Sequence, residues 1–412
     1  MKLLFITDNF PPEVNAPATR TYEHAIEWVK KGVEVTILTC HPNFPDGVIY
    51  KGYKNTFYHV EEIEGIKVIR VWSYMSSNKG FIKRILDYLS FALSAFLVGL
   101  FQKTDIIVAT SPQFFTTWSA YALSKLKRKP WVFELRDIWP ESIVSVGAIH
   151  NQKIINLLER IELGLYRDAW HIVAVTDAFK VNLESRGING SKISVVTNGS
   201  NLSLFQQQAK DLDLIRQLKL EDKFIVGYIG THGMAHGLDF IIESLAYVKD
   251  EKIHFLFVGN GAMKETIVKM AKHLALKNVT FLDAIPKEEV PKYLSICDIS
   301  LAPLKRNDTF KNVIPSKIFE AAAMQKPTLL GVEGVAKGII SKYNAGRCFF
   351  PEDRADFIEK LMALRDEQTY QQCQRGCVAL AKDFNREQLA QKMLRILQQS
   401  KVKQPKVKYT RI

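Results

Sequence analysis

The stretch Phe224-Ile-Val-Gly-Tyr-Ile-Gly-Thr-His-Gly-Met-Ala-His-Gly237 reads as a short strand that runs into a glycine turn and opens a helix. Phe224–Ile229 is an apolar run without alternation, the pattern of a parallel strand buried on both faces. Beyond it, glycines at 230, 233 and 237 let backbone N–H groups come close to an anion, and His232 and His236 add charge or hydrogen bonds. Gly230, His232, Gly233 and His236 are therefore expected to contact a phosphorylated ligand, the alternative being a plain tight turn.

Working outward, the same motif recurs. Short Val/Ile/Phe-rich runs follow at His254–Val258, Val279–Leu282, Ile299–Ala302 and Thr328–Gly331, with helices such as Leu238–Val248 and Ala262–Leu274 between them. An earlier series runs through Lys2–Thr7, Val33–Thr39, Lys67–Trp72, Asp105–Ala109, Trp131–Leu135 and His171–Val175. Its first helix, Pro17 to Lys31, is stopped by Gly32. Two consecutive βα series predict an α/β chain of two Rossmann-like, doubly wound parallel-sheet domains, with ligands at the strand C-terminal ends. The expected division is 1–203 and 204–384, with Leu202–Asp213 as a polar linker. A C-terminal helix, 385–400, is expected to be able to pack back on the first domain, ahead of a basic tail over 401–412.

Length and composition agree with this division. At 412 residues the chain is too long for one core, and 47% hydrophobic with 24% charged residues is the balance of a globular protein. Fifty-six Lys+Arg against 43 Asp+Glu leave a net charge of +13, which fits nucleic acid, an anionic membrane or a phosphorylated ligand. Nucleic acid is set aside because no basic run is interleaved with stacking aromatics. Five cysteines lack metal-ligand spacing, so no structural metal and a reducing, cytoplasmic setting are expected. No signal peptide is visible, and the longest uncharged apolar stretch, Tyr88–Phe101, has 14 residues, short of the roughly 20 that span a bilayer.

Three further stretches carry chemistry. Ile314-Pro-Ser-Lys-Ile-Phe-Glu320 places Pro315 in a helix's first turn, with Ser316 and Lys317 beside the free N–H donors and Glu320 three residues beyond Lys317. Phosphate at Lys317 and a diol at the acceptor-only Glu320 together point to a nucleotide; the alternative is an ordinary capped helix. In the first half, Phe10–Arg20 and Glu134-Leu-Arg-Asp-Ile-Trp-Pro-Glu141 both follow strands. They offer Glu13, Ala16, Arg20, Arg136, Asp137 and Trp139 as a substrate wall, or else a stiff loop and a buried Arg–Asp pair. Finally, Lys79–Phe101 has apolar residues at helical spacing, Lys83 and Arg84 near its start, and Lys125, Lys127, Arg128 and Lys129 in the same half. It reads as an interfacial helix on anionic lipid, or as a core helix of a βαβ unit.

Taken together, these motifs resemble a retaining glycosyltransferase of family four, with the GT-B architecture of two such domains facing across a cleft. Within that family the chain is similar to the bacterial O-antigen and capsule enzymes typified by the L-N-acetylfucosamine transferase. The resemblance covers nearly the whole chain. It rests on Phe10-Pro-Pro-Glu13 with Ala16-Pro-Ala18 and Arg20, on His41–Gly47 and Arg136–Glu141, and on Thr197-Asn-Gly199, Gly230–Gly237, Pro315-Ser-Lys317 and Glu320. It implies a UDP-sugar bound by the second domain and a polyprenyl-diphosphate-linked glycan acceptor bound by the first, with no cofactor and no metal. The implied place of work is the cytoplasmic inner face of the bacterial plasma membrane.

Glu320 matches the family glutamate that holds the ribose. Asn312 stands where a partner glutamate is usual, and Thr231 and His236 stand where the wider family has arginine and lysine. Lys317, Lys305, Arg306 or Arg20 are then expected to meet the diphosphate charge. The expected donor site is Gly230, His232, Gly233, His236, Lys305, Pro315, Ser316, Lys317 and Glu320. Glu13, Asp137 and His236 are the expected catalytic residues, and Ala16, Arg20, Arg136, Asp137 and Trp139 the expected acceptor contacts. Two rivals stand beside this reading: a hydrolysing UDP-N-acetylglucosamine 2-epimerase of the same fold, and an inactive, membrane-associated sugar-nucleotide-binding scaffold.

Overall fold

The computed structural model describes residues 1–44, 47–76, 81–111, 114–141, 144 and 151–402. Pro45 and Asp46 of the His41–Gly47 stretch, Lys79 and Gly80 of the amphipathic segment, and 403–412 of the basic tail lie outside the described residues. The chain forms two units, Met1–Thr197 with Glu387–Ile412, and Asn198–Arg386.

In the first unit the apolar runs form β1 (Lys2–Ile6), β2 (Glu34–Cys40), β3 (Tyr58–Ile63), β4 (Ile66–Val71), β5 (Ile106–Thr110), β6 (Trp131–Leu135), β7 (His171–Ala174) and β8 (Ile193–Val195). They lie in the order β3-β4-β2-β1-β5-β6-β7-β8. Every neighbouring pair is parallel except β3 with β4. All residues of β5 and β6 are buried, as unbroken apolar runs require. Strand alternation sends Leu4 and Ile6 to one face and Leu3 and Phe5 to the other. Helices Phe81–Gly99, Phe114–Lys127 and Gln152–Asp168 cover the first face through Phe91, Ala95, Leu123 and Tyr166. Helix Ala16–Lys30 and the C-terminal helix Arg386–Val402 cover the second. There Trp28 packs with Met393 and Leu397, and its indole N–H donates to the Ala390 carbonyl at 2.9 Å.

Strand β3 escapes the sequence reading because it is a largely exposed edge strand with charged residues. It is joined to β4 by Glu64-Gly65, both at positive φ, the geometry of a tight hairpin turn.

The second unit contains β9 (Phe224–Ile229), β10 (Ile253–Val258), β11 (Val279–Leu282), β12 (Ile299–Pro303), β13 (Thr328–Gly331) and β14 (Gly346–Cys348). They form an all-parallel sheet in the order β11-β10-β9-β12-β13-β14. Because β9 lies between β10 and β12, the strand order reverses there. The crevice outside the C-terminal ends of β9 and β12 is the place such a sheet offers to a ligand. The unit closes where Ser200 and Asn385 pair, with Ser200 N–H bonding the Phe384 carbonyl at 3.0 Å and Arg386 N–H bonding the Ser200 carbonyl at 2.9 Å. Among the described residues no helix is long and apolar enough to cross a membrane.

Candidate functional site

At the end of β9 the chain turns through Gly230, whose φ of +141° is a conformation that side chains rarely adopt. A one-turn 3₁₀ segment, Met234–His236, then leads through Gly237 into helix Leu238–Leu245, which ends three residues before the Val248 expected from sequence. His232 is fully buried. Its backbone N–H bonds the Asn260 carbonyl at 2.8 Å, its own carbonyl accepts from Met263 at 2.8 Å, and neither ring nitrogen has a hydrogen-bond partner among the described residues. His236 Nδ1 lies 3.3 Å from the Gly233 carbonyl. Burial, with Lys264, Lys317 and His236 nearby, lowers His232 to about 4. Burial and Lys317 lower His236 to about 4, so both rings are neutral at neutral pH.

Lys317 reaches the same turn from the far side of the switch point. A Cβ built on Gly230 would sit 3.4 Å from its Nζ, so the ammonium lies over the turn. The residue as a whole is half-buried, yet Nζ is shielded from water and has no hydrogen-bond acceptor among the described residues. Burial lowers its pKa to about 7, with Glu320 pulling the other way. An amine shielded from water with no hydrogen-bond acceptor among the described residues, beside two neutral imidazoles and a glycine backbone, suits an arriving phosphate.

Helix Lys317–Ala323 starts later than the sequence implies: Pro315 and Ser316 precede it instead of forming its first turn. Their carbonyls accept from Ile318 at 3.2 Å and Phe319 at 3.0 Å, an i→i+3 pattern that tightens the lead-in, and the Ser316 side chain makes no cap bond. Glu320, half-buried one turn on, has Lys287 Nζ 3.9 Å away. Lys305, at the end of β12, bonds the Ala235 carbonyl through its N–H at 2.9 Å and pairs with Asp239 at 3.1 Å, so its charge is already met.

The first-unit candidates divide. Arg20 is 1% exposed: Nε donates to Glu134 at 2.9 Å, and the two Nη groups donate to the Thr197 and Val196 carbonyls at 2.7 and 2.9 Å. Burial alone would raise the Glu134 carboxyl, but Arg20 and Arg136 hold it below its ordinary value. Glu13 is buried and accepts from the N–H groups of Asn43 and Phe44, both at 2.8 Å, fastening the loop after β2. Trp139 is buried and stacks on Phe114 with centroids 5.1 Å apart. These three side chains are engaged within the first unit itself. Arg136 and Asp137 stand half-buried at the end of β6, their N–H groups bonding Ser111 Oγ at 2.9 and 3.2 Å, and Ala16 is exposed.

Three residues in this part of the second unit escaped the sequence reading. Lys264 donates to the Gly259 carbonyl at 2.9 Å and also to the Leu282 carbonyl, and Lys287 pairs with Glu320; neither has a local pattern to mark it. Tyr228, a polar aromatic in a buried strand just ahead of a glycine turn, did carry such a mark.

Known proteins resemble this chain in sequence and share its fold. Residues 17–204 match the family described as Glycosyltransferase Family 4, and residues 210–376 match Glycosyl transferases group 1. WcaI of Escherichia coli strain K12, a glycosyl transferase named for colanic acid biosynthesis, is 28% identical over 334 residues, 79% of this chain and 81% of that protein. Sucrose-phosphate synthase from Thermosynechococcus elongatus superposes with a TM-score of 0.78 at 14% identity, covering 98% of this chain and 100% of that one. HepE of Anabaena, solved with UDP-glucose, gives 0.72 at 17% identity over 97% and 100%. Likeness at these identities speaks for the fold, which is GT-B.

Proposed function

The chain belongs to glycosyltransferase family four, and from that premise we propose that it moves a sugar, an N-acetylated deoxyhexosamine, from a UDP-sugar to a polyprenyl-diphosphate-linked saccharide. The observation that carries the donor half is the water-shielded Lys317 amine over the Gly230 turn, with no hydrogen-bond acceptor among the described residues. HepE, which has the same fold, is solved with UDP-glucose, in keeping with a UDP donor. The name of WcaI favours a cell-surface polysaccharide as the destination.

In this reading Lys317, His232, His236 and the backbone at Gly230 and Gly233 hold the diphosphate, Pro315 and Ser316 line its approach, and Glu320 accepts from the ribose diol. Lys305, tied to Asp239, shapes the turn. The bond from the anomeric carbon to the diphosphate oxygen breaks as the acceptor oxygen bonds the same face of that carbon. The acceptor's proton passes to the departing diphosphate, so configuration is retained without a strong protein base. Charge developing on the leaving group is met by the lysine and the backbone donors, which makes the reaction metal-independent. Asp137, Arg136 and Ala16 face the acceptor, while Glu13, Arg20 and Trp139 keep their loops in place. Turnover assays test the whole: UDP release that requires a lipid-linked glycan is expected. Epimerised free sugar nucleotide from donor alone, or no release with any acceptor, would overturn it.

The lipid acceptor places the enzyme at the inner face of the bacterial plasma membrane, and the Phe81–Gly99 helix supports that placement. Its inner side packs Phe91, Ala92, Ala95 and Val98 into the core, while Leu86, Leu89, Leu93 and Leu97 face outward, followed by Phe101 at 85% exposure. Between residues 81 and 129 seven Lys and Arg stand against two Asp. Leucines edged by cations match an anionic bilayer surface. Sedimentation with anionic liposomes at low salt, and release at high salt, is the expected result; protein that stays in solution with every lipid mixture would refute the electrostatic part.

A further inference from the structure

The Lys317 ammonium rests on an aromatic face. Its Nζ lies 3.5 Å from the centroid of the Tyr228 ring. Tyr228 is fully buried on β9, and its hydroxyl donates to the Thr231 carbonyl at 2.6 Å, pinning the ring to the glycine turn. The rings of His232, Phe257 and His236 surround it at 5.6, 5.9 and 6.2 Å. Burial pushes the phenol's pKa up, so the ring is neutral throughout the working range.

We infer that Tyr228 is the positioning residue for Lys317: its ring face carries the ammonium over the glycine turn and leaves the N–H donors for an incoming phosphate. The chemistry of the alternatives explains the choice. A carboxylate beneath the lysine would take one or more of those donors and cancel the charge that a diphosphate must find. An aliphatic floor would leave a desolvated ammonium with nothing to offset its burial. A ring quadrupole lies between the two, attracting the cation without occupying its hydrogens. The inference rests on the reading of Lys317 as a diphosphate contact and adds what holds that contact ready.

A signature separates this role from simple packing. The ring acts on Lys317 only when the lysine is charged. Near pH 6 the lysine is charged with and without ligand, so the effect of the ring on affinity largely cancels. Near pH 8.5 it is neutral when free and charged when bound, so the full effect appears in the binding constant. The other groups facing it do not confuse the comparison. His232 and His236 on the turn are neutral at both pH values, Glu320 acts on Lys317 from the same helix, and Lys264 acts on His232 from its own helix.

UDP is the probe, titrated calorimetrically at both pH values. Tyr228→Phe, which keeps the ring, is expected to bind within about twofold of wild type, while Tyr228→Leu binds about tenfold more weakly at pH 8.5 and within about threefold at pH 6. Phenylalanines with increasing fluorination at position 228 keep the ring's size and drain its face of negative charge. A stepwise loss at pH 8.5 is expected from them, and this series stands even if the leucine variant does not fold. Equal losses in the Phe and Leu variants, or no response to fluorination, would overturn the inference. A Lys317→Met control keeps the two levels apart: unchanged UDP affinity there removes the diphosphate reading itself, whereas a large loss there with an indifferent Tyr228 series removes only the role of the ring.

Discussion

Affinity for UDP is expected to fall about tenfold per pH unit between about pH 7.5 and 9, and Lys317→Met is expected to abolish that slope. In the ligand-free protein, burial holds the Lys317 pKa at about 7, against about 10.4 for a solvated lysine. A diphosphate against its ammonium favours the charged form, so above pH 7 binding takes up a proton and weakens as protons become scarce. UDP itself does not mask the effect, because a terminal phosphate of second pKa about 6 is already ionised in this window. Near pH 6.5 the methionine variant should bind about ten- to a hundredfold more weakly than wild type, the scale of a hydrogen bond to a charged group. Near pH 9 the two should converge. Stability has its own sign. Between about pH 7 and 10 the unfolded chain holds a proton on this lysine that the folded chain lacks, so this group makes the ligand-free protein more stable as pH rises through that window. A flat affinity profile, or a slope that survives Lys317→Met, would show that another group carries the charge.

How much of this was legible in the sequence depended on burial. Phe224–Ile229, Trp131–Leu135 and Thr328–Gly331 lie where their patterns place them, because a strand buried on both faces writes a largely apolar run. Tyr58–Ile63 did not announce itself, since an exposed edge strand is free to carry Glu61 and Glu62. Segment 79–101 was ambiguous between core and interface because its helix is apolar on both sides: Phe91 and Val98 are packed, while Leu93 and Leu97 are open. At the site, sequence marks residue types at strand ends but not where their side chains turn. Arg20, Glu13 and Trp139 carry functional-looking chemistry and point into the fold, whereas Lys287 touches Glu320 without any motif of its own. Pairing across elements, such as Lys317 from one helix over Gly230 from another turn, exists only once both are folded.

Glu320→Ala carries the second large effect. Its carboxylate lies one turn beyond Lys317 and 3.9 Å from Lys287 Nζ. An ionised carboxylate can accept both hydroxyls of a ribose, and two charge-assisted hydrogen bonds account for more than tenfold in affinity. Alanine removes both acceptors and also leaves Lys287 without this partner. Glu320→Gln keeps one acceptor and the shape, and should fall between alanine and wild type.

The most direct measurement is a pair of calorimetric titrations with UDP, into the wild type and into Glu320→Ala, under one buffer at pH 7. The expected result is clear binding by the wild type and a dissociation constant more than tenfold weaker for the variant. Identical affinities would contradict the ribose grip, and with it the reading of the Pro315–Glu320 segment as the place where the nucleotide is held.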